Sequence, residues 1–118
     1  MGYNDGATGS GVVDQQTVTI ALNGTTSTAI DLGGHTFMAL LMPATVTGTA
    51  VSFTASHNGT DYTAVFDDSG NAVSATVAAN RFVSMQSAVM AKLAAFRYLK
   101  LVSNQTELAA RTIQVVLK

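Results

Sequence analysis

The sequence predicts an all-β protein, a single antiparallel β-sandwich of the jelly-roll kind preceded by an extended N-terminal arm. Three observations support this fold class. Apolar and polar residues alternate with a period of two in several short segments, as they do in half-buried antiparallel strands. Turn-forming dipeptides separate those segments. The chain of 118 residues has the length of one domain with its own core.

The N-terminal arm is predicted over residues 1–15, and the sandwich domain over residues 16–118. The first fifteen residues, MGYNDGATGSGVVDQ, are rich in glycine and polar residues and show no hydrophobic period. Ordering such a backbone costs about 1–2 kcal/mol per residue, and the arm has few apolar side chains to offset this. We therefore expect it to lie either on a neighbouring subunit or on a larger assembly that the protein joins, as a strand added to an open sheet edge with Val12 and Val13 as its anchors.

The strands of the domain are predicted from five alternating segments and one segment that is apolar throughout. The like-facing apolar residues of the five are Val18, Ile20 and Leu22; Val51, Phe53 and Ala55; Tyr62, Ala64 and Phe66; Val73, Ala75 and Val77; and Ile113, Val115 and Leu117. The sixth segment, TFMALLM over residues 36–42, is apolar on both faces, as a strand in the middle of a sandwich or at an interface would be. Pro43 ends it, because proline cannot donate to a sheet ladder.

Turns are predicted where the alternation breaks, at Asn23-Gly24, Gly33-Gly34, Asn58-Gly59 and Ser69-Gly70. Asn58-Gly59 is expected to form a two-residue hairpin turn with Gly59 at positive φ. Residues 86–95, QSAVMAKLAA, are the helical candidate, because their alanines and lysine favour a short helix. A loop containing a single turn is the alternative for this segment.

Charge is scarce and unevenly distributed along the chain. Charged residues make up 11% of the sequence, and the net charge is −1. A surface that repels its neighbours so weakly favours association, so we expect a homo-oligomer, for instance a trimer. All lysines and arginines lie after residue 80, with Glu107 as the only acid there, and the six aspartates lie before it. Interleaving of the two halves in the sheets is the favoured interpretation, and head-to-tail contact between bipolar subunits is the other.

The acidic turn after the third alternating segment has part of the pattern of a calcium site. Asp67, Ser69 and Asn71 have the spacing of the first three ligands of an EF-hand loop. Such a loop needs glycine at its sixth position and glutamate at its twelfth, and Ala72 and Ala78 stand there. Turn formation explains the same residues, because aspartate and serine side chains bond to their own backbone. The sequence therefore predicts no metal site, and Asp67 and Asp68 remain candidates for a surface interaction.

The sequence predicts neither an enzyme nor a nucleic-acid-binding protein. His35 and His57 are the only histidines, cysteine is missing, and no G-x-S-x-G motif occurs. Arg97 and Lys100 fall on opposite faces of the predicted strand FRYLKL, so they do not form a basic stripe. No cofactor is expected. No apolar run is long enough to span a membrane, and no secretory signal is visible.

Carbohydrate is the remaining class of small ligand that the sequence leaves open. Sugar sites commonly present an exposed aromatic platform. The chain has no tryptophan, but Tyr3 and Tyr62 could take that role. Tyr62 therefore joins Val12, Val13, Asp67 and Asp68 as a candidate interaction residue, and no catalytic or metal-ligating residue is assigned.

Three stretches carry a resemblance to known families: VSFTASHNGTDYTAVFDDSGNAV, LAAFRYLKLVS and RTIQVVL. Together they resemble small β-sandwich structural proteins of tailed bacteriophages, including capsid decoration (cement) proteins. They are also similar to the discoidin or galactose-binding-like sandwich, in which a strand like RYLKL crosses the core. The likeness covers roughly residues 49–118. Its hairpin departs from the usual S-x-D-G-x-x-F form, since His57 and Asn58 stand where other polar residues are usual.

The phage resemblance implies a non-enzymatic virion structural protein, and within that class a head decoration protein on the outer capsid lattice. Its partners would be the major capsid protein and copies of itself. It would be made in the host cytoplasm and end on the capsid surface of the virion. The alternative is a carbohydrate-binding β-sandwich module of a phage tail or fibre.

Overall fold

The computed structural model describes residues 13–118, so the expectations for residues 1–12, including the anchoring role of Val12, lie outside the described residues. Within that range the chain forms nine strands and one helix. In chain order they are β1 (Asp14–Ile20), β2 (Ile30–Asp31), β3 (Phe37–Leu41), β4 (Ala50–Ser56), β5 (Thr63–Ala64), β6 (Ser74–Thr76), β7 (Phe82–Ser84), α1 (Ser87–Leu93), β8 (Tyr98–Ser103) and β9 (Arg111–Leu117).

The strands form two antiparallel sheets with a nested order. The first sheet runs β1-β9-β3-β7, and the second runs β2-β8-β4-β5, with β6 also paired to β4. Strand β1 pairs with β9, β2 with β8, β3 with β7, and β4 with both β5 and β6. Successive pairs in this series lie alternately in the first and the second sheet. This is the arrangement of a jelly roll, and the predicted all-β sandwich is confirmed.

The core lies between the sheets and is built from the alternating residues. Every second residue of β9 is fully buried, namely Ile113, Val115 and Leu117. Burying each such side chain contributes about 1.5–3 kcal/mol. Phe37 of the first sheet meets Phe53 of the second edge to face, with ring centroids 5.6 Å apart. The predicted inward faces of β4, β6 and β9 are therefore confirmed.

Strand β3 occupies the centre of the first sheet, as its apolar composition predicts. It pairs with β9 on one side and β7 on the other. A shift of register between Phe37 and Ala39 marks a bulge at Met38, which lets apolar side chains serve both faces. The strand ends at Leu41, two residues before Pro43.

One predicted apolar face is wrong at its end, and the predicted face of Tyr62, Ala64 and Phe66 is wrong throughout, since Ala64 and Phe66 are both exposed. Strand β1 stops at Ile20, and a turn in which the Gly24 N–H donates to the Ala21 carbonyl leaves Leu22 58% exposed. In the β5 segment it is Val65 that faces the core, whereas Phe66 is 59% exposed. A period of two fixes which residues share a face, and the core then selects the face.

The helical candidate does form a helix, α1, over Ser87–Leu93. Leu93 is buried in the core, and Lys92 lies in the last turn, where a cation is favourable beside the exposed carbonyl groups. The helix follows β7 directly and covers one end of the sandwich.

The predicted two-residue turn at Asn58-Gly59 is wrong, because residues 57–62 form a longer loop between β4 and β5. Gly59 does have positive φ, at 78°. A type I′ turn would need positive φ at Asn58 as well. Side chains build this loop instead: Ser56 Oγ accepts the Gly59 N–H at 3.0 Å, and Asn58 Oδ1 accepts the Thr60 N–H at 2.8 Å.

Replacing Gly59 by valine is expected to destabilise the protein by about 1 kcal/mol or more, because a β-branched residue is strained at positive φ. Its Cβ would also lie 3.4 Å from the Tyr98 ring. Thermal unfolding measures the effect, with Thr60→Val as a matched control at the next exposed position. Equal melting temperatures for the two variants would contradict this account of the loop.

The acidic and basic parts of the chain interleave, as favoured from the sequence. Asp31 of β2 pairs with Arg97, and Asp67 pairs with Lys92, each joining a residue before position 80 to one after it. Asp14 and Gln15, assigned to the arm from the sequence, pair with Leu117 and Val116 as the first residues of β1.

Candidate functional site

The loops at one end of the sandwich enclose an aromatic cleft. We call this the loop end. The strand pairings place residues 32–36, 57–62 and 94–97 there together. The cleft has a volume of about 330 Å³. His57, Asp61, Phe66 and Phe96 line it, over a floor that includes Ala55 and Val65.

The walls of the aromatic cleft combine ring surface with two polar groups. The rings of His57 and Phe96 are 5.8 Å apart and tilted by 48°. Asp61 Oδ2 accepts a hydrogen bond from Asn58 Nδ2 at 3.0 Å, which holds this carboxylate at the mouth. Such a cleft suits a ligand with one apolar face and several hydroxyl groups. No sequence pattern indicates that Phe66 and Phe96 line the same cleft, since the two are 30 positions apart.

Tyr62 lies beside the aromatic cleft, in a cluster of aromatic and cationic side chains on the outer face of the second sheet. The Lys100 ammonium lies 4.3 Å from the Tyr62 ring centroid, and the Arg97 guanidinium lies 5.1 Å from that of Tyr98. Arg97 also bonds both carboxylate oxygens of Asp31, at 3.1 and 3.3 Å. Burial raises the pKa of Tyr62. One face of the predicted tyrosine platform thus already contacts a cation.

Asp67 organises the turn that contains it. Its Oδ1 accepts the N–H groups of Asn71 and Ser69, each at 2.9 Å. These two bonds, the Asn71 bond foremost, hold the pKa of Asp67 below its usual range despite some burial. Lys92 lies 3.6 Å from the other carboxylate oxygen, whereas Asp68 is exposed beside it. The geometry is that of an Asx turn, which agrees with the turn interpretation of this segment.

Calcium at millimolar concentration is expected to leave the melting temperature unchanged, because Asp67 already uses its oxygens for the turn and for Lys92. Differential scanning fluorimetry with and without calcium, and with magnesium as the control ion, measures this. A rise specific to calcium that Asp67→Asn abolishes would establish the site discounted above.

The remaining residues singled out from the sequence are spread over the surface. Val13 is 60% exposed immediately before β1. His35 Nδ1 lies 3.1 Å from the Leu32 carbonyl oxygen. Among residues 13–118, no group of three or more histidines and carboxylates could hold a metal ion, and no helix is long and apolar enough to cross a membrane.

The opposite end of the sandwich is organised by a buried carboxylate that the sequence analysis did not single out. Glu107 is fully buried. Its Oε1 accepts hydrogen bonds from the Thr47 N–H and from Arg111 Nε, and its Oε2 from the Gly48 N–H and Ser103 Oγ, all at 2.9 Å. Its only sequence signals are that it is the sole glutamate and has an arginine four residues later.

These bonds make Glu107 an ionised structural group. Burial by itself would raise the pKa of Glu107, but the Thr47, Arg111, Gly48 and Ser103 donors outweigh burial and lower the pKa to about 2. The carboxylate joins the β3–β4 loop to the β8–β9 loop. The main chain of Glu107 also accepts the Asn23 N–H and donates its own N–H to the Gly24 carbonyl, which ties in the β1–β2 turn. The hydrogen-bonding capacity of the carboxylate is thus satisfied within the protein, and removal of any one partner would leave a buried group unpaired.

A second concavity runs along one side of the sandwich, between the edge strands β6 and β7. This β6–β7 groove has a volume of about 250 Å³ and is lined by β6, Ser84, Met85, Gln86 and Val89. None of these side chains is ionisable.

Together the strand order, the core and the two ends define a jelly-roll β-sandwich with a cleft at one end and a groove along one side. No protein-family model matches the chain, and no curated protein matches it in sequence. Among solved structures it is similar to the SPBc2 prophage-derived protein YomS, with a TM-score of 0.51 and 12% sequence identity. The match covers 90% of this chain and 94% of that one, so the two share a fold over nearly their whole lengths.

Proposed function

We propose that this protein is a non-enzymatic structural protein of a bacteriophage virion, and within that class a head decoration protein that binds the outer capsid lattice. The observation that carries the proposal is the fold shared with a prophage-derived protein over about nine-tenths of both chains. The phage resemblance of residues 49–118 points the same way. Its partners are the major capsid protein and copies of itself, and its place is the capsid surface after synthesis in the host cytoplasm.

The surface supports a role in assembly. Large apolar side chains are exposed at both ends and along one edge of the sandwich, namely Val13, Leu22, Phe66, Phe82 and Leu108. Low charge leaves little repulsion between close-packed copies. In a capsid lattice each copy would bury a modest area, and the many symmetric contacts would add avidity.

The histidines and the acidic turn have contacts that need no catalytic role. His57 packs on Phe96, His35 lies against a backbone carbonyl, and Asp67 closes its own turn. We therefore expect His35→Ala, His57→Ala and Asp67→Ala to leave folding and assembly largely intact. A hydrolytic activity that disappears in any one of these variants would overturn the non-enzymatic proposal.

Cosedimentation tests the decoration role directly. Capsids of the encoding phage, prepared without this protein, are mixed with the purified chain and pelleted. Saturable binding in a fixed ratio to capsomers, with a higher temperature of capsid disruption, is expected. Recovery of the protein only with purified tails, or with no particle at all, would exclude a head decoration role.

The aromatic cleft favours a second candidate, a carbohydrate-binding module of a tail or fibre. Phe66 and Phe96 would face the apolar side of a sugar ring, while Asp61 and His57 would bond its hydroxyl groups. Host-surface saccharides on an array test this, with Phe66→Ala as the variant and Phe82→Ala, an equally exposed phenylalanine far from the cleft, as the control. Binding lost only in the first variant would favour this candidate.

A further inference from the structure

The two lateral seams of the sandwich, where the sheet edges face each other, are built differently. The seam between β1 and the segment leading into β2 is closed by hydrogen bonds. The Thr28 N–H donates to the Thr19 carbonyl at 3.0 Å. The side-chain amide of Gln16 bonds both the N–H and the carbonyl of Asp31, as a backbone amide would. An added strand therefore meets groups that are already paired along much of this seam.

The seam on the other side, between β6 and β7, is open. In the described part of the chain β6 pairs only with β4, and β7 only with β3. The β6–β7 groove occupies the gap. Contacts outside the groove lining hold the neighbouring connections: Lys92 of α1 lies 3.6 Å from Asp67, between β5 and β6, and the Asn80 N–H, between β6 and β7, donates to the Pro43 carbonyl.

The free edge of β7 presents backbone groups that can accept a further strand. The Arg81 carbonyl accepts the Met42 N–H, and the Met85 N–H donates to the Met38 carbonyl, each at 2.9 Å. Since backbone groups two residues apart point to the same side of an antiparallel strand, the N–H and carbonyl groups of Phe82 and Ser84 point away from β3. Phe82 is also 65% exposed. An apolar edge of this kind invites strand addition.

The chemistry of the groove selects its occupant. The lining is uncharged, and four of its side chains are small, namely Ser74, Ala75, Thr76 and Ser84; such a groove suits an extended backbone with little charge and mostly small side chains. Residues 1–12, MGYNDGATGSGV, have that composition, with Asp5 as the only charged side chain. Twelve extended residues span about 40 Å, which is comparable with the 42 Å longest dimension of the sandwich. The arm can therefore reach well into a neighbouring subunit.

The position of β1 favours a neighbour over the same subunit. Strand β1 lies at the edge of the first sheet opposite β7. Its first residue, Asp14, pairs with Leu117 at the loop end, so a chain continued backwards along β1 leaves its own sandwich there. Reaching its own β7 would require the chain to reverse and to spend about 14 Å of its roughly 40 Å span on crossing three strand spacings, which leaves fewer residues to pair along the groove.

We propose that residues 1–12 of one copy bind in the β6–β7 groove of a second copy as a strand added to the free edge of β7. This arm exchange needs no capsid, so it stands or falls separately from the decoration role. It also gives the expected homo-oligomer a defined contact, in which each subunit donates one arm and accepts another.

Engineered disulfides test the contact, and the chain has no cysteine of its own to interfere. Ser84→Cys is combined in turn with Ala7→Cys, Thr8→Cys and Ser10→Cys, so that the register of the arm need not be known. Mild oxidation is expected to give covalent dimers and higher species in at least one combination, reversed by a reducing agent. The same arm positions combined with Gln114→Cys, on the exposed face of β9, provide the control.

Cross-links within single chains, or equal yields with Ser84→Cys and Gln114→Cys, would overturn the proposal.

Light scattering on the purified chain supplies an independent test. The native protein is expected to be oligomeric, and deletion of residues 2–12, which spares β1, to make it monomeric. Ser84→Pro removes an N–H that faces the groove but leaves the pairing with β3, so it should also give a monomer with a normal folded spectrum. Ser84→Ala keeps the N–H and should remain oligomeric.

An unchanged oligomer after the deletion, or a native protein that is monomeric at tens of micromolar, would overturn arm exchange. Either result would leave the capsid cosedimentation experiment unaffected, so the failure of one proposal is distinguishable from the failure of the other.

Discussion

Replacing Glu107 by glutamine is expected to lower the free energy of unfolding by about 3 kcal/mol or more, because it breaks a buried ion pair and leaves Arg111 without its partner. Glutamine has nearly the same shape, but it offers one acceptor oxygen and brings two N–H groups. Four donors converge on the native carboxylate, from Thr47, Gly48, Ser103 and Arg111. Each carboxylate oxygen accepts two of these donors, so in the variant two of them would point at the amide NH₂ of the glutamine, which cannot accept a hydrogen bond.

Urea and thermal unfolding measure this effect. For a chain of this length a loss of 3 kcal/mol corresponds to a fall of roughly 10 °C in melting temperature. Asp31→Asn is the matched control, since Asp31 also pairs with an arginine, at 3.1 Å, but on the exposed surface. Exposed pairs contribute little, so this control should melt close to the native protein. Similar losses for both variants would contradict the structural role assigned to Glu107.

The pH dependence of stability should reveal the same group. Glu107 has a pKa of about 2 in the folded protein and about 4.3 in an unfolded chain. Its contribution, about 3 kcal/mol, is fully present above the unfolded value and is lost as the pH falls towards the folded value. The difference in unfolding free energy between native protein and Glu107→Gln should therefore shrink steadily from pH 5 to pH 2. A difference that stays constant over this range would show that ionisation of Glu107 is not the source.

The residues that sequence patterns place correctly are those whose environment is set by their own strand. The inward faces of β4, β6 and β9 follow from a period of two, and the helix α1 follows from local propensity. Leu22 fails because β1 stops at Ile20 and the chain turns there. Phe66 fails because a period of two does not say which face is buried, and in this segment the core takes Val65 instead. The loop at Gly59 departs from a hairpin turn because Ser56 and Asn58 supply hydrogen bonds that no dipeptide preference encodes.

The functional features depend on contacts between residues that are distant along the chain. Local sequence patterns do not predict such contacts. The donors to Glu107 come from residues up to 60 positions away. The β6–β7 groove is open because nothing within residues 13–118 pairs β6 with β7, whereas Gln16 and Thr19 bond across the other seam. Of the predicted interaction residues, Tyr62 lies beside Asp61 and Thr63, which line the aromatic cleft, and Asp67 and Asp68 lie in the turn after Phe66. Their role in an interaction stays a prediction.

Gly48→Ala is expected to be among the most destabilising small substitutions in the protein. A Cβ at this position would overlap Ser103 Oγ and lie 3.2 Å from Glu107 Oε2. No strain in the backbone dihedrals is needed to explain the effect, which comes from lack of space. Overpacking of this kind costs about 1–3 kcal/mol, and displacement of Ser103 or of the carboxylate adds lost hydrogen bonds.

A double-mutant cycle isolates the overlap. Ser103→Ala removes the obstructing hydroxyl and by itself loses one hydrogen bond to Glu107, at about 1–2 kcal/mol. Because the added methyl group then has room, the double variant should be more stable than the sum of the two single losses predicts, by about 1 kcal/mol or more. Gly34→Ala is the control, since its Cβ meets nothing within 4 Å. The Gly34→Ala variant should be mildly destabilised by its positive φ, and its effect should simply add to that of Ser103→Ala. If the effects of Gly48→Ala and Ser103→Ala also add, the glycine is required at position 48 for some reason other than the space around the buried carboxylate.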